Sequence, residues 1–354
     1  MTGKTGAADV DIAIFHVEPD DAAGPLTRAT AAARADLGER HRLGFLAAGA
    51  TRASVIAGKR DGSPFGARVR RLIGEIGDGG LIVLGSGAIP LATAADRREL
   101  VATAASRAPV ALTNNRYSGD VIAVACARSV LADLPDLPAD NGLPRWLAEV
   151  AGVPVADRRG RPRLGVDIDG AGDLVLLGGR WRRFLQPTDV VRSERAMQGV
   201  RTVAADPTAE LTIAGRVSAA TLAWLERNTA SRTRAIIEER GLRTRRPDQR
   251  PATSILGAML DRDGPASLAD HLATLGDAGI VDTRVLLAHR FGADEGGWPR
   301  AEDRFASDLL LADRIVDPWL KALTASAADA RIPILLGGHT LVGPGLPLAL
   351  RRRR

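Results

Sequence analysis

Short apolar runs alternate with longer segments of helical periodicity through the first half of the chain. The apolar runs predict β-strands, and the segments rich in Ala, Arg and Leu between them predict helices. The predicted strands are Asp11–Val17, Ser54–Ala57, Leu81–Leu84, Pro109–Thr113 and Asp120–Ala125, and the predicted helices are Leu26–Ala48, Pro64–Ile76 and Thr93–Ser106. Repeated β-α-β units of this kind predict an α/β fold whose sheet is mostly parallel and covered by helices on both faces.

The pattern changes in the second half of the chain. A basic, irregular connection over Gly178–Arg192 predicts a domain boundary near residue 190, with domains 1–190 and 191–354. Helical periodicity dominates after it, so we expect a mostly helical second domain. The predicted elements there are helices Ala219–Arg240, Leu268–Ala278, Val281–His289 and Ala306–Ser326, followed by a strand at Ile332–Leu336.

Length and composition are those of a globular protein with about two domains of ~150 residues each. The chain has 354 residues, 45% of them hydrophobic and 25% charged, which excludes a peptide hormone or a disordered tail. Its single cysteine, Cys126, excludes an internal disulfide and a cysteine-based zinc site. A reducing, cytoplasmic location is expected, and no segment has the pattern of a signal peptide or a membrane span.

The net charge of +6 first suggests nucleic acid. Nearly all of the positive charge is arginine, however, and most of it is interleaved with acids, as on a solvated helix surface. The exceptions are Gly241–Arg250, within which we expect Arg243–Arg250 to be a flexible loop, and the terminal run Arg351–Arg354. Because no nucleic-acid motif accompanies these charges, a nucleic-acid partner is disfavoured.

Two segments carry the most informative pattern, LIVLGSGAIPL at Leu81–Leu91 and VDIDGAGDL at Val166–Leu174. In this order and at this distance, the chain from Asp11 to Gly179 resembles the GT-A-fold nucleotidyltransferases, which include 2-phospholactate and molybdenum-cofactor guanylyltransferases. The resemblance implies a three-layer α/β domain of GT-A type. It also implies that both segments lie at the carboxyl edge of the sheet, where open α/β sheets bind ligands.

The resemblance implies a Mg²⁺ site and a nucleotide site. Asp167 and Asp169 match the acidic turn of the family and are the implied catalytic and metal-binding residues, with Asp173 in the third acidic position. The first turn of the family implies nucleotide contacts at Gly85, Ser86 and Gly87. That turn has one residue more here and lacks the usual aspartate, and the family's Gly-rich phosphate loop is absent. Alternatively, Asp167 and Asp169 cap a turn, as aspartate often does.

Other polar residues near the predicted strand ends are candidate ligand contacts. Arg28 follows a predicted helix start, where anions are favoured, and Arg68 begins another helix. Asn114, Asn115 and Asp120 belong to a polar turn that could line the site. The alternatives are a surface position for Arg68 and an ordinary hairpin for the turn, since Asn and Gly suit left-handed turns.

The second half contains its own cluster of candidate residues. If helices bring them together, histidines and carboxylates could bind a metal or perform acid–base chemistry, although their spacing fits no known motif. The alternative is a set of helix-surface salt bridges. The Gly-rich stretch Gly337–Gly345 would let backbone amides approach an anion. The members are Asp282, Thr283, Arg284, His289, Arg290, Asp294, Glu295, Glu302, Asp303, Arg304, Asp308 and His339.

We therefore expect a Mg²⁺-dependent nucleotidyltransferase-like enzyme that transfers a nucleoside monophosphate from a triphosphate to a phosphorylated small molecule. The alternative is a protein of the same fold that binds a nucleotide or nucleotide-sugar without catalysis, or that serves as a scaffold. A third hypothesis places the activity around His289, Asp308 and His339. The expected partners are the nucleotide and the metabolite, with no membrane; a homo-oligomer is left open.

Overall fold

A computed structural model describes residues 8–242 and 250–351 of the chain. Contacts between residues divide it into two compact units, Met1–Asp20 with Ala31–Asp167, and Asp21–Thr30 with Ile168–Arg354. The boundary expected near residue 190 lies inside the second unit. Most of the expected flexible loop, residues 243–249, and the last three residues of the terminal arginine run lie outside the described residues.

The first unit contains a six-stranded mixed sheet in the order β2-β1-β3-β5-β4-β6. Five strands run in one direction and β5 is reversed, since only its pairings with β3 and β4 are antiparallel. The strands are β1 Val10–Val17, β2 Arg52–Gly58, β3 Gly80–Gly85, β4 Ala111–Thr113, β5 Val121–Val124 and β6 Val155–Asp157. The helices are α1 Pro25–Ala47, α2 Phe65–Ile73, α3 Ala94–Ala104, α4 Ala127–Val130 and α5 Leu143–Glu149; the first residues of α1 belong to the second unit. The expected α/β class is confirmed.

Successive side chains along each strand point to opposite faces of the sheet, and apolar side chains on both faces explain why both are covered. Ile12 and Ile14 of β1 pack with Phe45 of α1 in one hydrophobic core. Ala13, between them, faces a second core that contains Val69 of α2 and also residues of α5. The first unit therefore has three layers, with its sheet in the middle.

A charged network fixes helix α3 at one side of this sheet. Thr93, the first residue of the helix expected over Thr93–Ser106, is its N-cap and forms a capping box with Asp96, which is 1% exposed. Arg161 and Arg163 also donate to the carboxylate of Asp96. Burial alone would raise the pKa of Asp96, but the hydrogen bonds from Arg163 and Thr93 hold it well below its usual value.

Asp96→Asn is expected to lower the free energy of unfolding by about 1–2 kcal/mol at pH 7, because the amide loses the charge-assisted bonds to both arginines. The depressed pKa means that this stabilisation is present above the unfolded pKa of about 4 and is lost as the pH falls below it. Urea denaturation of both proteins at pH 7 and at acid pH tests this. Glu39→Gln, in an exposed pair with Arg42, is the control and should leave the free energy of unfolding close to that of the wild type. A cost for Asp96→Asn that does not shrink in acid would contradict the assignment.

The second unit contains a four-stranded, fully parallel sheet in the order β10-β9-β7-β8. The strands are β7 Glu210–Gly215, β8 Arg232–Ile237, β9 Ala278–Asp282 and β10 Ile334–Gly337. Helices α7, α10 and α13 pack against them. The helices of this unit are α6 Ala171–Leu177, α7 Val191–Ala204, α8 Ala219–Asn228, α9 Ile255–Asp263, α10 Leu268–Leu275, α11 Thr283–Phe291, α12 Ala301–Asp308, α13 Pro318–Ala328, α14 His339–Val342 and α15 Leu346–Leu350.

The prediction of a mostly helical second half missed most of this sheet. The helix expected over Ala219–Arg240 ends at Asn228 and is followed by β8, an edge strand whose mostly exposed side chains lack the apolar run of a buried strand. The helix expected over Ala306–Ser326 is two helices, because Asp317 caps a new helix that begins at Pro318. The first residues of the helix expected over Val281–His289 belong to the end of β9.

Candidate functional site

The carboxyl ends of β1 and β3 form a topological switch point in the first sheet. The strand β1 lies between β2 and β3. The chain therefore passes from β1 to β2 on one side and then crosses to β3 on the other side. Crevices at such points are where open α/β sheets bind ligands. His16 near the end of β1 and Ser86 just after β3 meet there, with 2.9 Å between Nδ1 and Oγ. Burial and the charge of Arg34 lower the pKa of His16, so its imidazole is neutral at pH 7.

The predicted turn Gly85–Pro90 lies at this switch point and is held from two sides. The Ser86 amide donates to the Phe15 carbonyl at 2.8 Å. From α1, the fully buried His41 places Nε2 2.8 Å from the Ala88 carbonyl. Because a carbonyl only accepts, Nε2 carries the proton of this ring. Burial lowers the pKa of His41 to about 4, which keeps the ring neutral.

Backbone strain and open space mark the same turn. Ile89 is fully buried with φ of 45°, a left-handed conformation that is rare for a β-branched residue and costs about 1–3 kcal/mol. Gly87 is buried, whereas a Cβ at Gly85 would meet no atom within 4 Å. The turn is therefore held in place at Ala88 and Ile89, whereas there is free space beside Gly85.

Asp167 lies beside this turn, since Ala88 and Asp167 form an isolated antiparallel β-bridge. The bridge brings together the two segments that carried the sequence pattern. Asp167 and Asp169 are half-buried, while Val166 and Ile168 on either side of Asp167 are at most 1% exposed. Asp167 is the last residue of the first unit and Asp169 belongs to the second.

Asp173, the third acidic position of the motif, has a structural role in the second unit. One of its oxygens accepts the amides of Asp169 and Gly170 at 2.8 Å each, which caps helix α6. Burial, with the charges of Asp169 and Asp308, raises the pKa of Asp173 to about 7. Asp173 therefore caps the helix that follows Asp167 and Asp169.

The polar turn after β4 is braced from within. The buried Asn114 donates from Nδ2 to Asp120 at 2.7 Å and to the Leu164 carbonyl at 2.9 Å, and its Oδ1 accepts the Asp120 amide. Asn115 accepts the Tyr117 amide at 3.0 Å, as in an Asx turn. Asn114 therefore fixes the shape of the turn, and Asn115 and Asp120 are its half-buried members.

The two candidate phosphate-binding arginines differ. Arg68 stacks on the Phe15 ring at 4.9 Å from its centroid, and its buried Nε has no hydrogen-bond partner among the described residues. Arg28 is exposed and donates to the Asp21 carbonyl. The helix start near Arg28 already holds an anion, because Glu302 accepts the amides of Leu26 and Thr27. A phosphate there would have to displace that carboxylate.

The carboxyl edge of the second sheet holds two buried ion pairs. Arg216, directly after β7, makes a two-bond pair with Asp282 at the end of β9, at 2.6 and 3.1 Å. Arg284 makes a two-bond pair with Asp308, the last residue of α12. Burial alone would lower the pKa of Arg284, but the charge of Asp308 raises it above its usual value. All four residues are at most 8% exposed.

The remaining candidates of the second half lie in several places. His289 accepts the Ser254 amide and contacts Asp261, near helix α9, whereas His339 follows β10 and acts electrostatically on Asp282. Asp282 and His289 are about 10 Å apart along α11, given a rise of 1.5 Å per residue. Asp303 accepts the amides of Val316 and Asp317 and is structural. The structure brings part of this set together at one edge of the sheet. These residues are Asp282, Thr283, Arg284, Asp308, Gly337, Gly338 and His339. At or beyond the other end of α11 lie Arg290, Asp294 and Glu295.

Three residues of these edges were missed by sequence reasoning. His16 is a single histidine at the end of an apolar run and His41 a single histidine in a charged stretch of a predicted helix, and neither pattern distinguishes a site residue from a structural one. Arg216 could have been identified only with β7, since an arginine directly after a glycine that ends a parallel strand is a typical edge residue.

Comparisons with protein-family models, with curated proteins and with solved structures found no match. Within residues 8–242 and 250–351, no helix combines the length and apolar character required to cross a membrane.

Proposed function

We propose that the first unit binds a nucleotide at the β1/β3 switch point. The chain would then be a divergent nucleotidyltransferase-like protein of GT-A type that transfers a nucleoside monophosphate to a phosphorylated small molecule. One observation carries the proposal: the Ala88–Asp167 bridge places a carboxylate beside the strained, open turn at the carboxyl edge of the sheet. The resemblance of the two segments that meet there supports the same reading.

The donor set of Asp167 and Asp169 fits Mg²⁺. Their carboxylates are two residues apart and half-buried, with buried Val166 and Ile168 in the alternate positions. Mg²⁺ is usually held by one or two carboxylates, with waters and substrate phosphates completing its shell. The described ranges contain no group of three or more His, Cys, Asp or Glu side chains that could hold a metal ion. Mg²⁺ held by two carboxylates does not require such a group. When bound, the ion would neutralise charge on a triphosphate.

Residues of the chain would position the nucleotide. The guanidinium of Arg68, held against the Phe15 ring, would donate to a phosphate oxygen, since guanidinium–phosphate bonds are charge-assisted. Gly85 would leave room for the ligand, and the Ser86–His16 pair would hold the turn against the sheet. The braced turn from Asn114 to Asp120 would contact the base or the acceptor. Catalysis would rest on positioning and charge neutralisation.

Thermal-shift titration with each nucleoside triphosphate, with and without Mg²⁺, tests this proposal. At a ligand concentration of 100 times Kd, binding stabilises the folded state by about 2.7 kcal/mol. Asp167→Asn is expected to remove the Mg²⁺-dependent part of the shift, whereas Asp133→Asn, at an exposed position, should leave it unchanged. Absence of Mg²⁺-dependent stabilisation by every nucleotide would refute the transferase.

Binding without catalysis is the second candidate, because the turn after β3 carries Ser86 where the family has an aspartate and that hydroxyl is paired with His16. This candidate predicts stabilisation by a nucleotide or nucleotide-sugar that persists without Mg²⁺ and in Asp167→Asn. It also predicts no release of pyrophosphate from any triphosphate in the presence of phosphorylated acceptors.

A further inference from the structure

The second sheet has a switch point of its own. From β7 the chain goes first to β8 on one side and then to β9 on the other, and β10 pairs with β9. The crevice of this sheet therefore lies at the carboxyl ends of β7 and β9, where ligands are bound in open parallel sheets. Arg216 and Asp282 lie at these two ends.

Two guanidinium groups and one imidazole, from three neighbouring strand ends, act electrostatically on Asp282. Arg216 follows β7, Arg284 follows β9 by two residues, and His339 follows β10 by two residues. Burial alone would raise the pKa of Asp282, but the charges of Arg216, His339 and Arg284 lower it below its usual value. Asp282 is paired with Arg216 and Arg284 is paired with Asp308, and His339 lies at the same edge of the sheet.

Both arginines are held rigidly and still have N–H groups to donate. Arg216 uses Nε and Nη2 for Asp282, and Arg284 uses Nη1 and Nη2 for Thr283 and Asp308. Within the described part of the chain, no hydrogen bond is made by Nη1 of Arg216 or by Nε of Arg284. Neither atom is fully buried, since the fully buried polar atoms without a partner do not include them. A guanidinium whose far side is fixed by a carboxylate is preorganised to bind an anion on its near side.

A glycine lies beside the guanidinium of Arg284. A Cβ at Gly338 would lie 3.7 Å from Nε of Arg284, so the hydrogen atom there is the smallest group that could stand beside the guanidinium. The next residue, His339, is exposed. Gly215 is needed on the other strand, since its φ is 121° and a Cβ would lie 2.3 Å from Cβ of Asp282.

We propose that the carboxyl edge of the second sheet binds a phosphate group, held by Arg216, Arg284 and His339 over Gly338. The tetrahedral anion accepts several N–H donors at once, which suits two fixed guanidiniums and an imidazole. The group belongs to a phosphorylated small molecule or is free inorganic phosphate, which share this chemistry. This inference concerns the second unit alone and does not depend on the function proposed for the first.

Imidazole NMR of the full chain, titrated with inorganic phosphate at constant ionic strength, is the direct test. With five histidines the spectrum is simple, and His339→Gln assigns the signal of His339. The expected result is a saturable shift of that signal on addition of phosphate and no shift on addition of chloride. Glycerol phosphate, titrated in the same way, distinguishes the two sources: tighter binding than phosphate indicates an organic ligand, and equal or weaker binding indicates the free ion.

Two variants test the geometry without breaking an ion pair. Gly338→Ala places a methyl group in ordinary van der Waals contact with Arg284, so the fold tolerates it while the N–H is covered. His339→Gln removes the exposed imidazole. Each should weaken phosphate binding, measured by calorimetry, about tenfold, the effect of losing one charge-assisted hydrogen bond. The control is Arg331→Gln, an exposed cation that precedes β10 at the opposite edge of the sheet, and it should bind as the wild type does.

Three results would overturn the proposal: no saturable shift of His339, an equal shift with chloride, or unchanged affinity in both Gly338→Ala and His339→Gln. Asp167→Asn separates this site from the one in the first unit, because it should abolish Mg²⁺-dependent nucleotide stabilisation and leave phosphate binding at His339 intact. Loss of phosphate binding in Asp167→Asn would assign the phosphate to the first unit and so refute this inference.

Discussion

Arg284→Met is expected to lower the free energy of unfolding by about 3–5 kcal/mol, because it leaves the carboxylate of Asp308 buried without its partner. Arg284 and Asp308 have side chains 10% and 3% exposed, and both guanidinium Nη atoms contact the carboxylate. Methionine fills most of the same volume, so packing changes little and the loss is electrostatic. Urea unfolding at neutral pH measures the effect.

A double variant separates the cost of leaving Asp308 without its partner from the net contribution of the ion pair to stability. Removing both charges in Arg284→Met with Asp308→Leu should recover much of the lost stability, since an apolar pair of similar volume replaces a buried ion pair at little cost. Arg262→Met, which removes the solvent-exposed arginine paired with Asp263, is the control and should change the free energy of unfolding far less than Arg284→Met does. A similarly small cost for Arg284→Met would mean that Asp308 is solvated.

Asp173→Asn is expected to stabilise the protein above neutral pH. The pKa of Asp173 is raised to about 7, so the folded state holds its proton over a range in which the unfolded chain, with a pKa of 3.8, has lost it. The stability that this proton confers is complete below the unfolded pKa and is lost as the pH rises through the folded pKa. A shift of this size corresponds to about 4 kcal/mol. The asparagine oxygen can still accept the two amides that one oxygen of Asp173 accepts now.

Denaturation of wild type and Asp173→Asn from pH 4 to pH 8 measures this difference. The two curves should meet near pH 4 and separate as the pH rises, with the variant more stable. Asp329→Asn, at an exposed position of the same unit, should follow the wild type throughout. If Asp173→Asn is no more stable than wild type at pH 8, the prediction is wrong, and the folded protein stabilises the charged carboxylate of Asp173 as well as water does.

Much of the first unit could be predicted because its strands β1, β3 and β5 are buried apolar runs. The expected helix over Thr93–Ser106 also corresponds to an element of the structure, α3. The second sheet was harder for a physical reason. Its edge strand β8 is polar and half-exposed, and β9 passes directly into α11 through Asp282, so neither strand has the boundaries of an isolated apolar run.

Site prediction succeeded where chemistry follows from local sequence and failed where it depends on pairing between strands. The turn after β3 and the segment of Asp167 stood out, and the structure places them side by side. In contrast, the role of Asn114 depends on Leu164, fifty residues away, and the pair of Arg216 with Asp282 depends on the parallel register of β7 and β9. Such contacts are set by topology, which a single sequence does not encode locally.

The placement of Asp21–Thr30 in the second unit has a consequence for how the gene can be divided. The chain passes between the units three times, after Asp20, after Thr30 and after Asp167. A single cut at residue 167 would leave Glu302 without the amides of Leu26 and Thr27 that it accepts. A simple end-to-end fusion of two ancestral genes would not produce this arrangement, so the two units are expected to be inherited, expressed and exchanged as one module.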